Sequence, residues 1–302
     1  MPQLIPTGLT LLAGRPKSGK SWLGLQIARA VGAGEEILGQ PVERRRVLYL
    51  ALEDNARRLK ERMERQGWPA GLDVDFLLAS DFRKQVGSLA LKGKYATAGA
   101  QRLAKYIEAM AYRLIVTDTL SRAGLGDQLA HDEMVTALEP LQELALSLDC
   151  AFIFLDHHHK AVGDTPDAVS HVLGSTAKGA LADTLLALYR KPGEVEAKLC
   201  ATGRDIRDIA LQLCFDDMTG CWRLLGKATT IELTERRQEI LDVLATLGTA
   251  TLSDIAKSIG QDKSNTSKRL ADLVAAGLVR RTSHLGIVAY ELGDAFDEAM
   301  AS

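Results

Sequence analysis

The stretch Leu11–Ala28, LLAGRPKSGKSWLGLQIA, decides the fold. It opens inside a short apolar run, Leu9 to Ala13, of the kind that forms a strand buried on both faces. The run stops at Gly14. Gly19, Lys20 and Ser21 then follow at the spacing G-x-x-x-x-G-K-S of a phosphate-binding loop. Such a loop turns consecutive backbone N–H groups inward around a phosphate, and glycine tolerates the dihedrals and the close approach. Trp22 to Val31 reads as a helix, whose N-terminus favours a bound anion. The predicted binding segment for ATP is therefore Gly14, Arg15, Pro16, Lys17, Ser18, Gly19, Lys20, Ser21 and Trp22. Lys20 is expected to reach the β- and γ-phosphates, and the Ser21 hydroxyl to ligate Mg2+.

Outward from this loop, apolar runs alternate with helical patterns. Strands are predicted at Leu9–Ala13, Val47–Leu52, Val74–Leu78, Leu114–Thr117, Phe152–Leu155, Thr184–Leu188 and Ala197–Ala201. Helices are predicted at Trp22–Val31, Asn55–Gln66, Ala98–Ala111, Asp132–Leu148 and Ser175–Asp183. The alternation predicts an α/β domain with a mostly parallel sheet covered on both faces. Ala197–Ala201, Ala210–Phe215 and Cys221–Leu225 lack helices between them and predict an antiparallel edge, with a turn at Asp216–Gly220. The expected domains are 1–226, a linker 227–234, and a second domain 235–302.

The chain has 302 residues, 46% hydrophobic and 25% charged, which suits one large and one small globular domain. Its net charge of -2 means that any nucleic-acid surface must be local. No apolar run is long enough to cross a bilayer and no signal peptide is evident, so a cytoplasmic protein with no membrane partner is expected. The four cysteines show no C-x-x-C spacing and read as reduced thiols.

A phosphate loop needs a metal anchor and a group that positions water if hydrolysis is to follow. Open α/β sheets place such groups at the carboxyl ends of strands. Leu114–Thr117 ends at Asp118, the expected Mg2+-shell carboxylate. Val47–Leu52 ends at Glu53 and Asp54. Glu53 is the candidate base, and Asp54 competes with it while also suiting an N-cap for the next helix. Phe152–Leu155 ends at Asp156-His157-His158-His159. Adjacent side chains diverge, so His157 as a single γ-phosphate contact is preferred to a metal cluster.

In this order, LYLALEDN, LIVTDTLSRAG and FIFLDHHHK resemble the RecA-like ATPases of the RepA hexameric replicative helicase family, with AAA-type domains. The resemblance covers Leu9 to Leu225. It implies a RecA-like phosphate-loop domain and a homo-oligomeric ring, a hexamer. It also implies ATP at the subunit interfaces and single-stranded DNA in the channel. It implies that Glu53 is the catalytic glutamate, Asp118 the Walker-B acid and His157 the strand-end sensor. It further implies an arginine finger in CATGRDIRD, with Arg204 first and Arg207 second. Ring relatives often carry a basic residue two positions before the finger, where this chain has Thr202. The DNA-contacting loops would be Ser121–Glu133 and His159–Ser175, neither clearly basic.

Glu235 to Leu292 resembles a winged helix-turn-helix. Lys263, Asn265, Lys268 and Arg269 cluster toward the start of its third helix, where a recognition helix meets duplex DNA, and Arg280 and Arg281 follow on the next strand. From Leu252 to Tyr290, six Lys and Arg oppose three Asp, a local excess of +3. The function expected is an ATP-hydrolysing DNA motor, a ring-forming helicase. The alternative is an ATP-gated DNA-binding regulator or loader that does not unwind.

Overall fold

Nine strands form one sheet in the order β3-β2-β4-β5-β1-β6-β7-β8-β9. They are β1 (Gly8–Gly14), β2 (Val47–Ala51), β3 (Val74–Leu78), β4 (Leu114–Asp118), β5 (Ala151–His157), β6 (Thr184–Arg190), β7 (Glu196–Gly203), β8 (Ile209–Asp216) and β9 (Cys221–Lys227). The computed structural model describes residues 4–87, 89, 96–123, 131–157, 181–227, 235–275, 277–284 and 287–293. From β3 to β6 all neighbours pair in parallel, and β6 to β9 is antiparallel, as the sequence predicts.

The continuous apolar runs are what a sheet buried on both faces requires. On one face, Leu12, Val47, Tyr49, Val116, Ile153 and Leu155 pack with Leu23 and Ile27 of α1 (Lys20–Ala33). On the other, Leu9, Leu11, Leu48, Leu50, Ile115, Phe152 and Phe154 pack with residues of α4 (Ala96–Met110) and α5 (His131–Ser147), such as Leu103, Ile107, Leu138 and Leu141. The amphipathic α2 (Ala56–Arg65) buries only Leu59. A short helix absent from the sequence reading, α3 (Ala79–Gln85), follows β3 and buries Phe82. The predicted helix Ser175–Asp183 falls mostly outside the described residues.

The chain divides into two compact units, Met1–Ala228 and Thr229–Ser302. Lys227, expected in the linker, is the last residue of β9. The second unit holds α6 (Glu235–Leu247), α7 (Leu252–Ser258) and α8 (Lys263–Ala275) with a small sheet, β10-β12-β11. Its strands are β10 (Thr249–Thr251), β11 (Val279–His284) and β12 (Ile287–Leu292). Ile240, Leu244, Ile255, Leu270 and Leu273 form its core. Thr251 and Asp254 close a capping box on α7. This is the winged-helix arrangement, with β10 as a third strand that the sequence reading had not placed.

Candidate nucleotide-binding site

The loop between β1 and α1 is held by contacts that only glycine permits. Gly19 caps α1 at φ 98, and a Cβ there would lie 2.6 Å from the Trp222 ring. A Cβ at Gly14 would lie 2.8 Å from Ser18 Oγ and 3.0 Å from Leu188 O. Trp222 Nε1 donates to Gly19 O at 3.2 Å, so β9 supports the loop from beneath. Gln26 of α1 fixes Trp222 in turn, donating to its carbonyl at 2.9 Å and accepting from its N–H at 2.7 Å. Lys20 is buried, and its Nζ donates to Gly14 O at 2.6 Å and Arg15 O at 2.8 Å. Burial lowers its pKa to about 8, against the pull of Asp118, Asp156 and Glu53. Ser18 Oγ is buried with no hydrogen-bond partner.

The acidic residues converge on this loop. Asp118 ends β4 beside Ala51 of β2 and is buried. Its Oδ2 accepts from the Tyr49 hydroxyl at 3.1 Å, while its Oδ1 is buried with no partner. Burial pushes its pKa up to about 6. The nearby Ser21 hydroxyl opposes that rise, Asp54 adds to it, Tyr49 opposes it and Glu53 adds to it. The backbone N–H groups of Leu52 and Glu53 both donate to Asp118 O, at 2.9 and 3.1 Å, which stitches the exit of β2 to the tip of β4. Glu53 is exposed and close enough to act on both Lys20 and Asp118.

Asp54 has a different task. Its carboxylate, 7% exposed, pairs with Arg58 at 3.1 Å and with Arg62. The cap of α2 is not Asp54 but Asn55, whose side chain accepts from Arg58 N at 2.9 Å, a correction to the sequence reading. Asx caps act from the residue directly before the helix, and α2 begins at Ala56. Sequence reasoning passed over Asp156, which is buried on β5, next to Ala13 in register, and acts on Lys20. Its signal was the one that found Asp118, a carboxylate at the end of an apolar strand. His157 pairs in register with Gly14, so its backbone adjoins the start of the loop. His158 and His159 lie outside the described residues.

Mg2+ and a nucleoside triphosphate fit these residues. The unpartnered Asp118 Oδ1 and the Ser21 hydroxyl are hard oxygen donors suited to Mg2+. Lys20 and the glycine-lined backbone suit the phosphates. Among the described residues there is no cluster of three or more His, Cys, Asp or Glu that could hold a metal. The anchor fits a Mg2+ bound partly through its own nucleotide.

Two expected participants lie differently. The Trp22 ring packs against Phe215 with centroids 6.2 Å apart, and the guanidiniums of Arg62 and Arg65 lie 5.3 and 4.8 Å from its centre. It therefore joins the first turn of α1 to the β8–β9 turn. Arg204 pairs with Asp183 at 3.1 Å. Asp183 also accepts from Leu9 N at 2.8 Å and Gln142 Nε2 at 2.6 Å, at the start of β1. Leu9 and Gly14 are five residues apart along β1, about 17 Å at the usual strand rise. Arg204 thus sits by the opposite ends of the strands from its own phosphate loop. Arg207 is exposed and makes no ion pair among the described residues. Arg122 is exposed in the 3-10 turn Leu120–Ala123, and most of both expected DNA loops lies outside the described residues.

In the second unit Lys263, Lys268 and Arg281 are exposed and make no ion pair among the described residues. The Asn265 amide donates to Asp262 at 2.6 Å, Arg269 donates to Gln261, and Arg280 pairs across the sheet with Glu291 at 2.9 Å.

A family model described as an AAA domain matches residues 1–163, more than half of the chain. The chain belongs to the AAA domain family. A model of the MarR family matches residues 233–286, within the second unit of this AAA protein. Two solved structures are similar to part of the chain. One is the RadB recombinase, at 17% identity and TM-score 0.48, covering 73% of this chain and 91% of that one. The other is the KaiC-like protein PH0186 from the hyperthermophilic archaeon Pyrococcus horikoshii OT3, at 14% and 0.47, covering 73% and 90%. No curated protein matches the sequence. Among the described residues, no helix of this AAA protein is long and apolar enough to cross a membrane.

Proposed function

We propose that the chain is an ATP-hydrolysing motor that acts on DNA, with Mg-ATP in the β1–α1 loop and a ring-forming, helicase-type assembly. The observation that carries the reading is the convergence of buried Lys20, the unpartnered Asp118 Oδ1 and exposed Glu53 at the carboxyl ends of three parallel strands. Lys20 holds the β- and γ-phosphates, and Ser21 and Asp118 hold Mg2+, which neutralises phosphate charge when bound. Glu53 orients the attacking water and takes its proton, and His157 reports on the γ-phosphate. Arg204, remote from its own loop, serves a neighbour's phosphates. In a hexamer, single-stranded DNA occupies the channel.

The winged helix takes duplex DNA through Lys263, Lys268 and Arg281, aided by Asn265, Arg269 and Arg280. Measured ATP turnover tests the reading. Single-stranded DNA should accelerate it, and Lys20→Ala should abolish it. Turnover indifferent to DNA would overturn the motor.

A second reading is an ATP-gated DNA-binding regulator or loader. The Arg204–Asp183 pair favours it, because an arginine held by its own chain is less available to a neighbour. DNA-stimulated hydrolysis without strand separation would select this reading.

A further inference from the structure

We propose that Tyr49 is a positioning residue for the metal half of this site. In this assignment its phenol fixes one oxygen of Asp118 so that the other faces the cation. The inference rests on the nucleotide-site reading above. Tyr49 lies in the middle of β2, two residues before Ala51, which is the register partner of Asp118. Its side chain is 1% exposed and packs on the face that α1 covers. The Phe76 ring lies against it with centroids 5.5 Å apart. On the other side lies Gly24 of α1, where a Cβ would make ordinary van der Waals contact with the Tyr49 hydroxyl at 3.5 Å. The ring is therefore held, and its O–H reaches Asp118 Oδ2 at 3.1 Å.

The two carboxylate oxygens are thus unequal. Oδ2 accepts the phenol, while Oδ1 has no partner in hydrogen-bond geometry and the Ser21 hydroxyl, the other expected Mg2+ ligand, lies beside the carboxylate. A buried acceptor left unpartnered is costly unless something supplies a partner. Twisting the carboxylate out of its plane would break the Tyr49 bond, so the phenol fixes the plane in which the other, open oxygen points. Second-shell hydrogen bonds of this kind orient metal ligands, and their loss weakens metal binding about 10-fold or more. Tyr49 touches neither nucleotide nor metal in this assignment and acts only through Asp118.

The test is Tyr49→Phe, which removes one oxygen and keeps the ring. Binding of a fluorescent ATP analogue to the full chain is titrated with Mg2+, and separately in EDTA. The expected result is a Mg2+ half-saturation raised about 10-fold with Mg2+-free nucleotide affinity unchanged. A fall in both affinities together would mark a general packing defect and overturn the assignment. So would an unchanged Mg2+ midpoint.

Wild-type protein labelled with 13C at the tyrosine ζ position gives a second readout that does not depend on the variant folding. The resonance missing in Tyr49→Phe should shift on adding Mg-ADP but not on adding ADP in EDTA; should that variant not fold, one tyrosine signal must still show this behaviour. No tyrosine signal responding to Mg2+ overturns the assignment. Wild-type nucleotide binding that ignores Mg2+ altogether overturns the underlying site reading, and the Tyr49 role with it.

Discussion

Lys20 is buried as a cation against two backbone carbonyls, and that costs the ligand-free protein something measurable. Its pKa of about 8 lies below the ordinary lysine value of 10.5. Between these two pH values the unfolded chain binds more protons than the folded one, so stability from this residue rises with pH across that window. Lys20→Ala should flatten that rise in thermal melts. Bound polyphosphate favours the charged amine, so nucleotide binding near pH 8 should take up protons. Calorimetry in buffers of different ionisation enthalpy would show this uptake, and its absence in the wild type would refute the Lys20–phosphate contact. The two acids at the end of β2 also separate by experiment. Glu53→Gln should lower turnover by about 10²-fold, the usual worth of a positioned base, and leave ATP binding intact. Asp54→Asn should instead lower the melting temperature, because Arg58 and Arg62 lose their shared carboxylate. If Asp54→Asn shows the turnover defect and Glu53→Gln does not, the base is Asp54.

Trp222 and Gly220 make β9 the element that sets the shape of the phosphate loop, from the far edge of the sheet. Trp222 is 1% exposed beneath Gly19, and its neighbour Phe215 lies 4.9 Å away, centroid to centroid. Gly220, at φ 67 in the β8–β9 turn, lets the Trp22 ring approach so closely that a Cβ would stand 2.3 Å from it. Gly71 offers the control, with φ 76 and nothing within 4 Å of a Cβ. Gly71→Ala should cost about 1 kcal/mol of stability, the left-handed penalty alone. Gly220→Ala should cost about 3 kcal/mol, because an overpacking penalty adds to it. Equal losses in chemical denaturation would mean that the Trp22 contact is not tight. The same elements show where the sequence was legible. Apolar runs and turn residues marked seven of the nine large-sheet strands, β1 to β7, in the alternating pattern, and β8 and β9 as members of the antiparallel edge. The loop motif and the strand-end acids Asp118 and Glu53 were visible because each has a local signature. Tyr49 looked like one more apolar position, and Trp222 lies about 200 residues from the glycine it supports. Neither leaves a local trace, since each role exists only once distant strands are paired. Asp54 was misread as a cap because two acids in sequence give no hint of which one meets Arg62, eight residues on.

Two compact units, Met1–Ala228 and Thr229–Ser302, each have a core of their own. Ending the chain at Ala228 should leave a folded unit that binds ATP, with duplex DNA affinity reduced. Lys268→Glu with Arg269→Glu in the full chain should mimic that loss and flatten its salt dependence. Unchanged duplex affinity in both would make the second unit a protein-interaction module.

Assembly is the largest scale, and Arg204 tests it. Arg204 cannot serve its own loop, since the Asp183 that holds it is anchored at Leu9, at the opposite end of β1 from Gly14. It either ties β7 to β1 and α5 through Asp183, or also reaches a neighbour's nucleotide. Arg204→Ala alone confuses these roles, so its melting temperature must be compared with that of the wild type. Mixing it with Lys20→Ala separates them. Each protein should be nearly inactive alone, one lacking the finger and the other the loop lysine. In mixed rings some interfaces join an intact loop to an intact Arg204, and activity should partly return once fluorescence energy transfer shows that subunits exchange. Recovery establishes a site shared between chains. Exchange without recovery, with Arg204→Ala folded and inactive, assigns Arg204 to the Asp183 tie alone. Arg204→Ala that is fully active alone removes it as the finger, and exposed Arg207 is the next residue to mix.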